Sequence, residues 1–443
     1  MPNRALMNDQ GSINAMHETE SQPLLQKNGL TVGHARLLLP IALLASLGIT
    51  ATAATSVFAY AYLLCADPTH CQNEERAAYA GTLALATTVA NVCAILAVGP
   101  LHLLGRRNAV ASLLLWFGAR GASVAVLSGA VALRSIPIAI ASKVLEGLAT
   151  DNILQYGLGA VYARLPSEKH FSAVMGHSMA VYLFGSALGP ILAGLSTNFR
   201  TSFVFAVVVF VIAGGYTSLI WVRFTIHHTP STDDTQETAP EVPKRSLLDH
   251  VRVLAEPALL LPGVSLLLYT MAQGYVFPAL MVHTALRFGF TGRENGWMLS
   301  LAAGTSAVAL MAVPSALGAV ERCRGSIPRR QFNLAMAVAT MGVFAASLIL
   351  LARIDNARLV YPAIMLFSIG LASSTYIKGY AVLCIPGRAD VMPALAVQES
   401  VGSLLSPLLI GAAQTRLAEG EWLYISAGVI SFAALLLVLS GRS

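Results

Sequence analysis

An all-α integral membrane protein, with twelve transmembrane helices arranged as two pseudo-symmetric six-helix bundles, is predicted by three observations. Hydrophobic residues make up 56% of the 443 positions and charged residues 11%, with a mean hydropathy of +0.67, so the natural solvent of the chain is a bilayer. Twelve apolar runs approach the length of about 20 residues that a helix needs to cross the hydrocarbon core. A ten-residue string then occurs twice: G-S-A-L-G-P-I-L-A-G from Gly185 to Gly194 returns as G-S-L-L-S-P-L-L-I-G from Gly402 to Gly411, 217 positions later. Sliding the chain by that offset lays the run near Leu37 over the one near Pro257, as expected of two similar halves.

Taken in order, residues 1–36 are polar and read as a disordered cytoplasmic tail. Within it, Glu20-Ser-Gln-Pro-Leu24-Leu25 fits an acidic dileucine sorting signal toward a vacuole or lysosome, or lies in a tail with no address. The first bundle is expected over 37–224. Its spans cover 37–64, 77–100, 109–132, 136–161, 172–195 and 201–222, and the first lacks a cleavage-type ending, so it reads as a retained span. Residues 225–256 carry T-P-S-T-D-D-T-Q-E-T-A-P-E-V-P-K-R, too polar and Pro-rich for a core, and read as a cytoplasmic linker. The second bundle, 257–443, holds spans at 258–284, 296–320, 332–352, 359–384, 391–415 and 421–440. All twelve must be helices, because backbone groups in lipid have to be bonded within the segment and no barrel-type alternation is present.

With the N-terminus in the cytoplasm, 17 Lys and Arg residues fall inside and 8 outside, which favours a multi-pass protein with both termini cytoplasmic, in a plasma membrane or a vacuolar or lysosomal one. The net charge of +6 is dispersed over short loops instead of forming a stripe, so no nucleic-acid partner is expected. Trp221, Trp297 and Trp422 stand at span ends, where an indole sits at headgroup level. Cys65 and Cys71 flank the first outer loop, and a local bridge or two free thiols both fit there. Cys93, Cys323 and Cys384 read as small apolar fillers.

The repeated string has a physical use. Gly185, Gly189 and Gly194, matched by Gly402 and Gly411, leave a shallow surface on which another helix can lie close. Pro190 and Pro407 each free the carbonyl four residues earlier and bend the helix. Close packing and a bend suit a seal between two moving halves, and plain helix packing is the competing reading.

Six plus six spans, a long middle loop and the G-x3-G-P-x3-G string in span 5 together resemble the major facilitator superfamily over nearly the whole chain outside the tail. The span 5 string is similar to a signature of its proton-coupled drug exporters. Gly99-Pro-Leu-His-Leu-Leu-Gly105-Arg106-Arg107 resembles the superfamily's loop motif after span 2, one residue short and without its acidic residue. Lys143-Val-Leu-Glu146-Gly147 is similar to its basic-x-x-x-Gly pattern, with Lys where Arg is usual. The resemblance implies transport of a small-molecule substrate by alternating access, with protons as the coupling ion. Arg106 and Arg107 would act as a cytoplasmic latch or as positive-inside anchors.

Ionisable groups at bilayer depth are costly and therefore mark function by default. Arg120 lies in span 3, Lys143, Glu146 and Asp151 in span 4, Lys378 in span 10 and Glu399 in span 11. On one continuous helix Lys143 and Glu146 are about 60° apart, and Glu146 and Asp151 about 140°, so one face cannot hold all three. Either Glu146 or Asp151 should neutralise Arg120 while the other faces a cavity and exchanges a proton; Lys378 and Glu399 can form a second pair. Tyr269, Gln273 and Phe277 recur every four residues in span 7, Tyr376 and Tyr380 flank Lys378, and Gln398 adjoins Glu399, giving apolar walls with a few polar groups.

No phosphate loop, metal-spaced Cys/His set or nucleophile motif is present, so an enzyme, a cofactor and a metal centre are not expected. The function expected is secondary transport of a small organic solute by a monomer in the bilayer, as proton-coupled export. A proton-coupled importer and a non-transporting membrane receptor or sensor with the same fold are the alternatives.

Overall fold

The structure, a computed structural model, describes residues 37–68, 71–151, 153–154, 157–158, 168–194, 199–227, 256–324, 328–385, 391–417 and 420–441, and all regular structure among them is helical. The tail and nearly all of the linker lie outside these residues, as do the side chains of Arg106, Arg107, Trp221 and Cys323. The first half of the chain forms α1 (Leu39–Leu64), α2 (Asn73–Arg107), α3 (Ala109–Leu133), α4 (Ile136–Leu148), α5 (Glu168–Gly194) and α6 (Arg200–His227). The second half forms α7 (Pro257–Gln273), α8 (Val276–Phe288), α9 (Gly292–Arg324), α10 (Arg329–Arg353), α11 (Ala357–Ile369), α12 (Ser373–Cys384), α13 (Val391–Arg416) and α14 (Glu421–Ser440). Nine runs among the described residues are long and apolar enough to cross a membrane, and spans 4, 5 and 8 of the sequence reading are not among them.

In so apolar a chain many hydroxyls bond back to their own helix. Thr50, Thr87, Thr88, Thr217 and Thr340 each donate to the carbonyl four residues earlier in their own helix. Helix ends are punctuated by local chemistry. Gln72 and Glu75 form a capping box on α2, and the Asn108 side chain accepts from the Ala111 amide to start α3. Gly289, at φ 66°, turns the chain out of α8 through the left-handed region, which costs a glycine nothing.

Three spans read as continuous helices are broken. Span 7 divides at Gly274–Tyr275, because Pro278 has no amide to give and its ring would clash with the Gly274 carbonyl. Span 10 passes through a 3-10 turn at Gly370–Ala372. Span 4 ends its regular helix at Leu148, with Ala149 capping back to the Glu146 carbonyl and the Trp116 indole donating to Thr150 at 2.9 Å.

Packing follows the small residues and the rings. The Phe210 ring of α6 covers Gly48 of α1 so closely that an added Cβ would lie 2.7 Å from it. In the second half Tyr269, Phe344 and Phe367 form a buried ring cluster, with Phe344 and Phe367 centroids 4.5 Å apart. Cys65 and Cys71 form a disulfide that closes the loop between α1 and α2. Trp297 is exposed as expected of a headgroup anchor, but Trp422 is buried against His283 and serves packing instead.

Candidate functional site

The duplicated Gly-Pro helices lie where the two halves meet. α5 packs on α1 of its own half and on α9 of the other; α13 packs on α7 of its own half and on α2 of the other. The glycines set the spacing. A Cβ on Gly185 would strike the Ser46 hydroxyl and stand 2.7 Å from the Leu43 carbonyl; one on Gly402 would strike the Thr270 hydroxyl and stand 2.8 Å from the Leu267 carbonyl. Both hydroxyls bond back to those same carbonyls at 3.0 Å, so the two contacts are copies. Gly189 sits as tightly on Thr50 and Leu47, and Gly411 on Ala84, whereas Gly194 has only the Arg293 side chain at an ordinary 3.7 Å.

Proline chemistry appears at the same boundary. Pro407 leaves the Ser403 carbonyl without its helical donor, and Asn91 of α2 supplies one across the halves at 2.8 Å. Pro190, buried, touches Gly296 of α9. A Cβ on Gly292 would lie 3.2 Å from Thr55, and one on Gly81 3.6 Å from Thr415. These contacts bring the halves together from mid-helix to the end that carries the disulfide, called the disulfide end below.

The charges of the first half gather on α3, α4 and the residues after it. Glu146 meets Arg120 at 3.3 Å and Lys143 at 2.8 Å, so it, not Asp151, neutralises Arg120. Arg120 and Lys143 keep 13% and 10% of their side-chain surface exposed, and Glu146 28%. The single-helix geometry expected for Glu146 and Asp151 does not apply, because the break at Ala149–Thr150 separates them. Beyond it Asp151 is exposed and shares a side-chain hydrogen bond with Tyr182 of α5. Among the described residues no basic side chain forms a salt bridge with Asp151.

In the second half the two ionisable groups expected at bilayer depth pair with each other. Lys378 of α12 and Glu399 of α13 meet at 2.8 Å, with about equal side-chain exposures of 25% and 27%. Gln273, Phe277, Tyr376 and Gln398 are half-buried, and Phe277 packs edge-on against Phe367 at 5.2 Å. Tyr269 and Tyr380 are not cavity walls. Tyr269 is buried and donates at 3.0 Å to the Gly370 carbonyl, which the 3-10 turn leaves accessible; the Tyr380 hydroxyl accepts from Ser440 at 3.1 Å. A buried phenol needs a partner, and these backbone and hydroxyl partners draw both rings into the helix packing.

Residues 29–385 match the sequence profile of the Major Facilitator Superfamily. The chain belongs to that superfamily. No curated protein matches the sequence. Solved structures share the superfamily fold with it. The human organic anion transporter MFSD10 (TETRAN) aligns with a TM-score of 0.58 at 16% identity, covering 94% of this chain and all of that one. An auto-inhibited POT family peptide transporter gives 0.64 at 14%, covering 92% and 96%. A bacterial homologue of the iron transporter ferroportin, in its inward-facing state, gives 0.64 at 14%, covering 94% and all of that chain.

The superfamily member is a multi-pass membrane transporter and not an enzyme. Of its loop motif after span 2, Gly99 is exposed with open space around it and Gly105 is buried. Asn91 and Tyr182 were not singled out by the sequence. Asn91 sits on an apolar span opposite the Pro407 notch, a relation across 312 positions that only the fold reveals. Tyr182 precedes Gly185 by three residues and so shares its helix face, which was the available signal.

Proposed function

We propose that this protein is a secondary active transporter of a small organic solute, working by alternating access as a proton-coupled exporter. Residues 37–224 and 257–443 would rock as two bundles about a central cavity, with α5 and α13 as the sealing helices. The observation that carries the coupling is the contrast among three acids. Glu146 is clamped by two cations and Glu399 by one, while Asp151 is exposed beside the Tyr182 hydroxyl. A carboxylate that must load and release protons needs access to water and a partner that can follow its change of charge, and Asp151 has both. Glu146 and Glu399 then hold helices in register.

The sides of the membrane follow from the disulfide. Such a bond persists in an oxidising compartment, which supports a reading with the Cys65–Cys71 loop away from the cytosol and both termini in it. The fold neighbours are described as transporters of organic anions, peptides and iron, so the solute class rests on this chain's own residues. Gln273, Phe277, Tyr376 and Gln398 suit an amphipathic organic molecule of moderate size.

The test is reconstitution of the full chain into vesicles carrying a pH-sensitive dye, with candidate organic compounds added under an imposed pH gradient. Compound-dependent proton movement is expected, with uphill transport lost and exchange of compound for compound retained in Asp151→Asn. Transport indifferent to the pH gradient, or a fully coupled Asp151→Asn, would overturn the proton reading.

A further inference from the structure

The two boundaries between the halves share a repeated string but not a hydrogen bond. At one of them α2 and α13 run antiparallel, with Ala84 against Gly411 and, two turns further from the disulfide end, Asn91 against Ser403. The Asn91 amide donates at 2.8 Å to the Ser403 carbonyl, whose helical donor Pro407 removes. At the other boundary α5 and α9 also run antiparallel, with Gly194 beside Arg293 and Pro190 against Gly296. One turn further, Ser186, the counterpart of Ser403 in the repeat, falls opposite Ser300. Pro190 frees the Ser186 carbonyl in the same way. Ser300 Oγ, however, is buried and has no hydrogen-bond partner among the described residues. A serine hydroxyl ends one bond short of where an asparagine amide reaches.

Depth gives the Asn91 bond its weight. Both of its residues lie at the middle of their helices and are half-buried. A carbonyl with neither a helical donor nor water is costly there, so Ser403 needs Asn91 while the halves are together and water once they part. From its own half, the interruption of span 7 presses on the same residue, since a Cβ on Gly274 would lie 3.2 Å from the Ser403 Cα. The bond therefore joins the first half to α13 at the point where span 7 is broken.

We propose that Asn91 is a one-sided latch: its bond to the Ser403 carbonyl holds the halves together along α2 and α13, and the boundary of α5 and α9 has no equivalent. An interaction made in one of two states shifts the population toward that state. Breaking this bond is then part of every parting of the halves at the disulfide end. The latch rests on the halves moving against each other, and on neither the proton nor the solute named above.

Labelling of a buried thiol by a water-soluble maleimide tests the latch in the purified full chain, with Cys93→Ala, Cys323→Ala and Cys384→Ala as background and Ala84→Cys as reporter. Ala84 is buried against Gly411, so that thiol reacts only while α2 and α13 are apart. Asn91→Leu should speed labelling about fivefold, the change expected when one neutral hydrogen bond is lost. Asn91→Ala, which adds no bulk, should match it. Pro407→Ala returns a helical donor to Ser403, and on that background Asn91→Leu should change the rate by less than about twofold. Ser300→Ala should leave the rate unchanged. A rate indifferent to both Asn91 variants, or an equal acceleration with and without Pro407, would overturn the latch. An effect of Ser300→Ala as large as that of Asn91→Leu would overturn its one-sidedness. A thiol that never reacts in the Asn91 parent would instead remove the parting of the halves, and alternating access with it.

Discussion

The two halves of this transporter repeat their packing but not their charge. Gly185 on Ser46 and Gly402 on Thr270 are the same contact made twice, down to the hydroxyl turned back onto its own helix. The ionisable groups expected at bilayer depth have no such symmetry: Arg120, Lys143 and Glu146 in a cluster with a separate exposed Asp151 in the first half, the pair Lys378–Glu399 in the second. The difference separates two jobs. Sealing against a partner bundle is required of both halves, whereas a titrating group is required once.

The largest effect is expected from Glu146→Gln, which leaves Arg120 and Lys143 facing each other at bilayer depth. Removing one partner of a buried pair costs about 3–5 kcal/mol, and thermal unfolding should show the loss directly. A Tm unchanged from the parent would mean that the first-half cations find other partners, and the contrast between halves would be lost.

Next come Gly185→Leu and Gly402→Leu. Each forces atoms into a neighbouring backbone carbonyl, and overpacking of that kind costs about 1–3 kcal/mol. The two losses should be similar. Damage from only one would show that the repeated string seals on one side only.

The Lys378 and Glu399 pair should behave as a structural one. Lys378→Met and Glu399→Gln should each destabilise, while the double variant recovers part of the loss with a coupling energy of about 0.5–3 kcal/mol in a double-mutant cycle. Uphill transport is expected to survive in the double variant. Its abolition there would give the second half a share in the coupling. The smallest effect belongs to Gly194→Ala, where the new methyl meets only the Arg293 side chain. A change within about 0.5 kcal/mol is expected by calorimetry, which would set Gly194 apart from its tight counterpart Gly411.

Much of this was legible because lipid is a strict solvent. Apolar runs have to be helices, and the repeated Gly-Pro string fits a seal between halves or plain helix packing, so its place at the boundary had to come from the fold. The pairing of Arg120 with an acid and of Lys378 with Glu399 followed from depth and the cost of a lone charge. The choice between Glu146 and Asp151 did not follow, because it turns on the break after Leu148. Angles of about 100° per residue carry no information past such a break. Pro278 was visible all along, and its effect on the Gly274 carbonyl could have revealed the break in span 7. Tyr269 and Tyr380 failed as cavity walls for a related reason: periodicity says which face a ring takes, not whether a carbonyl or hydroxyl waits there to bond it. The Asn91–Ser403 bond joins residues far apart in the chain, and no local pattern encodes it.

The interruption at Gly274 has a consequence for isotope labelling. Amide protons in a continuous membrane helix hardly trade with heavy water, since each is held in a ladder that lipid keeps dry. Span 7 offers a place to start halfway along its length. Deuterium should therefore enter around Gly274 and Tyr275 sooner than at the middle of unbroken α10.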